Sequence, residues 1–86
     1  MIWQRADEWV GSTIDDSFVM VHIETGKYVA LNATASAVWE ALESPSDEDA
    51  IVTTLTQSFD IDTDTCRASV DKLLDQMKEM KLVQPL

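Results

Sequence analysis

The sequence has few of the residues that build catalytic and metal-binding sites. Its 86 residues include one cysteine, Cys66, one histidine, His22, and two glycines. A lone cysteine cannot close an intramolecular disulfide, and no recognisable metal-binding or phosphate-binding motif is present. Because catalysis needs several polar groups that converge, we expect no enzymatic activity. The lack of cysteine pairs also favours a reducing compartment, the cytoplasm.

Positive charge is scarce as well. Six Lys and Arg residues stand against 16 Asp and Glu residues, giving a formal net charge of −10. Such a chain repels phosphate backbones, so nucleic acid is not an expected partner. Solubility is the simplest role of the acidic residues, and attraction of basic partners is the alternative.

Long apolar runs and the features of a signal peptide are also missing. The N-terminal residues lack a basic start followed by an apolar stretch, and no later run approaches the length of a membrane span. We therefore expect a soluble protein that is not anchored to a membrane. The apolar fraction of 45% and three tryptophans predict that residues 1–86 form a single compact domain.

Residues 9–31 carry the alternating pattern of β-strands. Residues 18–23 place three β-branched residues on one side and Phe18, Met20 and His22 on the other. Gly26 supplies a turn, after which residues 27–31 form the returning strand. A weaker strand over residues 9–14 precedes them, separated by a turn at Asp15-Asp16. Three antiparallel strands are predicted.

From Asn32 onward the apolar residues recur at helical spacing. The pattern predicts helices from the Asn32 cap to about Glu43, from a Ser46 cap to about Phe59, and from Thr63 to about Met80. The buried stripe of the middle helix is expected to be Ile51, Val52, Leu55 and Phe59. The predicted fold class is α+β, a three-stranded antiparallel sheet followed by three helices, which is similar to a winged helix-turn-helix domain.

The third helix has an apolar face with a basic border. A helical wheel places Cys66, Val70, Leu73, Met77 and Met80 on the core face. Leu74 falls on the border with Arg67, Lys78 and Lys81. That border has two interpretations, a solvated helix face and the rim of a binding site.

Two segments of the sequence resemble a known family. Residues 26–32 read Gly-Lys-Tyr-Val-Ala-Leu-Asn and are followed by Val38-Trp39, which resembles the G-x-Y-x-x-L-N … I-W signature of PqqD-like proteins, the recognition elements for ribosomally synthesised and modified peptides. The family's C-terminal pattern is matched by Val70, Leu73, Leu74, Met77, Leu82 and Val83, and Phe59-Asp60 fits the end of its second helix. Two positions depart from the family pattern: Met77 replaces a leucine, and Lys81 stands where glycine is common. The resemblance covers residues 9–83.

The resemblance implies a non-catalytic peptide chaperone that uses no cofactor. Such a protein binds the leader region of a precursor peptide and delivers it to a modifying enzyme or a leader peptidase. In this family the leader adds as a strand to the edge of the third strand and packs against the third helix. Carried over to this sequence, the implied peptide-binding residues are Lys27, Tyr28, Val29, Ala30, Leu31, Arg67, Val70, Asp71 and Leu74.

The residues also favour this geometry on physical grounds, while the pathway stays open. The outer strand of a three-stranded sheet leaves main-chain groups unpaired, and no proline blocks residues 27–31. A lasso-peptide pathway with a separate leader peptidase is slightly favoured over a radical-SAM pathway such as pyrroloquinoline quinone synthesis. From another functional class, a winged-helix DNA-binding domain or a general interaction domain is the alternative. The absence of Lys and Arg from residues 47–62 argues against DNA binding.

Overall fold

The computed structural model describes residues 2–15 and 17–86, which form strands, helices and two small sheets. The α+β class is confirmed, and winged helix is a loose description of it. The strands are β1 (Ile2–Arg5), β2 (Trp9–Ile14), β3 (Ser17–His22), β4 (Tyr28–Leu31), β5 (Ser46–Asp47) and β6 (Val83–Pro85). The helices are α1 (Ala33–Ala41), α2 (Glu48–Ser58) and α3 (Thr63–Glu79).

The first sheet is the predicted antiparallel sheet, in the order β2-β3-β4. Its turn between β3 and β4 closes with hydrogen bonds from the His22 N–H to the Lys27 carbonyl and from the Gly26 N–H to the His22 carbonyl, both 2.8 Å long. Gly26 has a φ of 73°, a conformation that glycine adopts without steric strain. Asp15, in the turn between β2 and β3, also has positive φ, whereas Asp16 lies outside the described residues.

The second sheet was not predicted from the sequence. Strand β1 lies between β5 and β6 and pairs with both of them antiparallel. These strands are only two to four residues long, and their partners are distant in sequence, so no local alternation reveals them. Trp3, in the middle strand, packs into the core and anchors this sheet against the helices.

Asparagine and aspartate side chains cap the three helices. The Asn32 side chain accepts a hydrogen bond from the Ala35 N–H at 2.8 Å, as the sequence predicts for α1. The cap of α2 is Asp47 rather than the predicted Ser46, because Ser46 is paired with Trp3 in the second sheet. Asp62 caps α3 by accepting from the N–H groups of Asp64 and Thr65.

The end of α3 shows how Lys81 takes the place of the family's glycine. Lys81 has a φ of 63°, the left-handed conformation that glycine favours. Its N–H bonds to the Lys78 carbonyl, and the Leu82 N–H bonds to the Met77 carbonyl. These two bonds form a Schellman motif, which ends the helix with a lysine in the left-handed position.

One apolar core joins the helices to both sheets. On α3 the buried residues are Cys66, Val70, Leu74 and Met77. The wheel was therefore wrong at two positions, since Leu74 is 1% exposed whereas Met80, expected in the core, is 41% exposed. Phe59 was also expected to be buried, but it caps α2 beyond the last helical turn and is 36% exposed. No helix in the described ranges is long and apolar enough to cross a membrane.

Candidate peptide-binding site

Strand β4 forms one edge of the first sheet, because within residues 2–15 and 17–86 it pairs with β3 alone. Antiparallel partners alternate between residues that point their N–H and C=O groups toward each other and residues that point them away. His22 and Lys27 form a hydrogen-bonded pair. In this register the next hydrogen-bonded pairs are Met20 with Val29 and Phe18 with Leu31. Tyr28 and Ala30 therefore direct their main-chain groups away from β3, toward the open side of the sheet.

The same alternation assigns the opposite edge. Residues 17, 19 and 21 of β3 bond to β2, whose inward residues are then Ile14, Ser12 and Val10. Gly11 and Thr13 thus point their main-chain groups outward along β2. The Ile23 N–H donates a hydrogen bond of 2.9 Å to the Glu8 carbonyl, which extends this pattern by one pair.

A cleft of about 730 Å³ opens beside β4, between the β3–β4 turn and the end of α3. We call it the hairpin cleft. Its sides are formed by Tyr28 and Val29 from β4 and by Met80 from α3, with Trp9 and His22 beneath. Val29 is partly buried against the core, whereas Tyr28 is 75% exposed. An extended chain paired with Tyr28 and Ala30 would lie directly next to this cleft.

The base of the hairpin cleft is held by two contacts of Trp9. Its indole N–H donates to the Lys81 carbonyl at 2.9 Å, and its ring meets the His22 ring edge-on with centroids 4.9 Å apart. The His22 Nδ1 in turn accepts from the N–H groups of Glu24 and Thr25. The turn, β2 and the end of α3 are therefore linked, which favours a cleft that is formed before any ligand binds.

Charges of both signs surround the hairpin cleft. Lys27 and Lys81 contribute cations, and Glu24 and Glu79 contribute carboxylates. Just outside it, a hydrogen bond with Glu24 is the main cause that raises the pKa of Glu8 above its usual range, with His22 acting in the opposite direction. The rim therefore carries both signs of charge, around the apolar side chains of Trp9, Val29 and Met80.

The sequence-predicted residues separate into two groups in the structure. Lys27, Tyr28 and Val29 line the hairpin cleft, and Ala30 and Leu31 continue the same strand. The four residues predicted on α3 do not line that cleft. Val70 and Leu74 are 0% and 1% exposed, Arg67 pairs with Asp49 at 2.6 Å, and Asp71 lies beside Glu48 and Trp3.

The sector of α3 that ends at Met80, in the hairpin cleft, consists of other residues. At 100° per residue, Ser69, Leu73 and Met80 fall within a sector of about 40°. This sector is adjacent to the one that contains the buried Cys66, Val70 and Met77. Leu73 is partly buried and packs against the core. The sequence-based wheel placed Leu73 and Met80 of this sector inside the core, because it was centred on all five apolar residues. Centring it on Val70 and Met77 would have left Met80 and Ser69 at the edge.

No group of three His, Cys, Asp or Glu side chains in residues 2–15 and 17–86 is arranged to hold a metal ion. Acidic residues do converge at one point, where Asp47, Glu48, Asp49 and Asp71 line a cleft with Trp3. Burial, followed by the charge of Asp71, raises the pKa of Glu48 there. This cleft lies beside the second sheet, away from the β4 edge.

Residues 17–83 match the family model described as Coenzyme PQQ synthesis protein D (PqqD). The match spans more than half of the sequence and includes β3, β4 and the three helices. This chain belongs to the PqqD family. The resemblance found in the sequence is therefore confirmed. No curated protein sequence matches the chain.

Two solved structures have the same fold as this PqqD-family protein. One is described as TbiB1 in complex with the TbiA(beta) leader peptide; it is 26% identical, with a TM-score of 0.82 and 96% of each chain covered. The other is described as lasso peptide synthetase B1 complexed with the leader peptide. It is 19% identical, with a TM-score of 0.81, and the alignment covers 96% of this chain and 98% of the other. At that identity the second comparison supports the fold alone.

Proposed function

We propose that this PqqD-family protein binds the leader region of a ribosomally made precursor peptide as an added strand on β4. The observation that carries the proposal is the outward direction of the main-chain groups of Tyr28 and Ala30, next to the hairpin cleft. An extended peptide supplies matching N–H and C=O groups, so it completes the hydrogen bonding that the edge leaves open. The protein acts in the cytoplasm as a binding partner, without catalysis and without a cofactor.

Side-chain contacts give this binding its selectivity, because main-chain hydrogen bonds are the same for every sequence. Residues of the leader opposite Val29 and Leu31 face the helices, where the hairpin cleft and Leu73 receive them. Each buried apolar anchor contributes roughly 1.5–3 kcal/mol, against association costs of several kcal/mol. We expect a dissociation constant near about 1 μM when the edge is pre-formed, so that main-chain hydrogen bonds along β4 add to two or three anchors.

The nine residues implied by the family resemblance have different roles in this proposal. Within residues 27–31, the main chain of Tyr28 and Ala30 pairs with the leader. Val70 and Leu74 support α3 from the core side, and Arg67, bonded to Asp49, fixes α3 against α2. Leu73 and Met80 take over the direct contact that the sequence assigned to Val70 and Leu74.

A titration tests the proposal. A fluorescein-labelled peptide spanning the leader of the precursor encoded in the same gene cluster is mixed with the protein, and anisotropy is measured. Saturable binding in the micromolar range, abolished by scrambling the leader sequence, is the expected result. Equal binding of the leader and its scrambled form would overturn the proposal.

We further propose that the protein delivers the leader to a processing enzyme, with a lasso-peptide leader peptidase favoured over a radical-SAM enzyme. The similarity to TbiB1, described in complex with a leader peptide, supports leader binding. The preference for the lasso pathway is the one drawn from the sequence, and the protein described as lasso peptide synthetase B1 has the same fold. The outward face of the first sheet gives a surface for such an enzyme. Its strand positions are Val10, Ser12, Ile14, Ser17, Val19, Val21, Tyr28 and Ala30, of which none is charged.

That outward face is apolar and accessible, with Val10 at 54% and Ile14 at 56% exposure. A leader strand on β4 would extend it, since the leader residues opposite Tyr28 and Ala30 share its side of the sheet. Changing Val10 to Lys should leave leader binding within twofold while weakening co-purification of the peptidase. If the peptidase co-purifies equally with both proteins, this surface is not the delivery site.

A further inference from the structure

A second cleft lies at the other end of the same side of α3. It has a volume of about 280 Å³ and sits where α1, α2 and α3 meet. We call it the helix cleft, and it is lined by Thr34, Leu55, Phe59, Asp60, Ile61, Cys66 and Ser69. Its volume is below the roughly 300–1,000 Å³ of typical small-molecule sites, so it is suited to a side chain more than to a whole cofactor.

The lining of the helix cleft is apolar. Leu55 and Cys66, each 2% exposed, form its base, while Phe59 and Ile61 are 36% and 37% exposed at its mouth. Asp60 is the one charged residue of its lining. Two large apolar side chains left accessible next to each other mark a surface that gains free energy when it is covered.

The two clefts are connected by β4 on one side and by α3 on the other. Tyr28, Val29 and Met80 line the hairpin cleft, whereas Thr34 and Ser69 line the helix cleft. Leu31 ends β4 only three residues before Thr34. The hairpin cleft therefore lies at the start of β4 and the end of α3, whereas the helix cleft lies just past the end of β4 and further back along α3. A strand that pairs with β4 and continues past Leu31 extends toward the helix cleft.

We infer that the helix cleft receives a second large apolar side chain from the same leader peptide that occupies the β4 edge. The inference rests on the proposed function and adds a requirement on the substrate. Met80 and Ser69 are eleven residues apart on α3, which corresponds to about 16 Å at 1.5 Å per residue. An extended peptide covers that distance in about five residues at 3.3 Å each.

Because alternate residues of a strand point to the same face, the two anchors of the leader must be separated by an even number of positions. The substrate is thus an extended peptide with two large apolar residues four or six positions apart. One enters the hairpin cleft and the other enters the helix cleft. Leucine, isoleucine, methionine and phenylalanine are the side chains whose size and polarity fit the second position.

Selection from a randomised peptide library tests the spacing without knowledge of the natural leader. Twelve-residue peptides are displayed, captured on the immobilised wild-type protein and sequenced. The expected result is enrichment of pairs of large apolar residues four or six positions apart. Enriched peptides with a single apolar position would overturn the second anchor while leaving the proposed strand addition intact.

Filling the helix cleft gives a second test. Ser69→Trp places an indole in the cleft and should weaken binding of a selected peptide at least tenfold. Ala68→Trp adds the same group one residue away, at an exposed position outside the cleft lining, and should change binding less than twofold. Equal effects of both variants, with both proteins folded by circular dichroism, would exclude the helix cleft.

A double-mutant cycle removes general effects of the tryptophan. Replacing the second anchor of the peptide by Ala should weaken binding to wild-type protein about tenfold but barely change binding to the Ser69→Trp variant. Additive losses would show that the anchor and the helix cleft do not meet. If no peptide binds, or if bound peptides are insensitive to blocking of the β4 edge, the proposed function itself fails, which is a separate outcome.

Discussion

The Trp9 indole N–H and the Lys81 carbonyl are joined by a hydrogen bond of 2.9 Å across 72 positions of sequence. The bond ties β2 to the residue that terminates α3. It therefore fixes the distance between the first sheet and the end of the helix, which sets the width of the hairpin cleft. A preformed cleft binds more tightly than one that must be ordered, because less conformational entropy is lost on binding.

Blocking the β4 edge should abolish leader binding without unfolding the protein. In Ala30→Pro the outward N–H is lost and the ring occupies the path of the added strand, while the bonds between β3 and β4 stay intact. We expect at least a tenfold loss of affinity in the anisotropy titration. Thr13→Pro removes an outward N–H from the opposite edge and is the matched control, with unchanged affinity expected. Comparable losses in the two variants would contradict the assignment of the edge.

Adjacent leucines on α3 should respond differently to a charge. Leu74 is 1% exposed, so Leu74→Glu buries a carboxylate in the core and should destabilise the fold by about 4 kcal/mol or more. Leu73 is only partly buried, so Leu73→Glu should stay folded and weaken leader binding. Thermal unfolding followed by circular dichroism separates the two effects. A cooperative Leu74→Glu variant that retains wild-type stability would contradict the packing described for α3.

Restoring glycine at the end of α3 should stabilise the protein. Lys81 adopts positive φ, which costs a non-glycine residue about 1–2 kcal/mol, and the greater freedom of unfolded glycine offsets about half of this. Lys81→Gly should therefore raise the unfolding free energy by about 0.5–1 kcal/mol. Lys81→Ala removes the same charge but keeps the Cβ, so it should bring no such gain. Urea unfolding measures both variants, and an equal gain in both would assign the effect to the charge.

The stability of the protein should depend on pH through Glu48, which lies in the cleft beside Trp3 and Asp71. Its folded pKa is raised, chiefly by burial, so folding favours the protonated form. That contribution is fully present below the unfolded pKa and is lost as the pH rises through the folded pKa. Glu48→Gln should thus raise the melting temperature at pH 7 and lose this advantage as the pH falls toward about 4. A pH-independent difference between the two proteins would contradict the raised pKa.

The sequence by itself determined the local elements and the family. Alternation over residues 18–31, the turn at Gly26 and the Asn32 cap depend on neighbours a few positions away, so they are readable from the chain. The first family motif lies in the same segment, the second lies in residues 70–83, and the family model matches residues 17–83. The sequence was enough to predict an edge strand. The outward direction of the Tyr28 and Ala30 main-chain groups could be assigned only from the register with β3.

Only the tertiary structure decided what α3 offers to a ligand and how the chain termini fold. A wheel gives the angles between side chains but not the direction of the core, and a rotation of roughly 35° moves Leu74 inside and Met80 outside. Strands β1, β5 and β6 form because distant segments meet, which no local pattern encodes. Both clefts likewise depend on contacts between distant residues, such as Trp9 with Lys81 and Thr34 near Ser69. Local propensity is a property of neighbouring residues, whereas the shape of a binding surface is set by packing between elements.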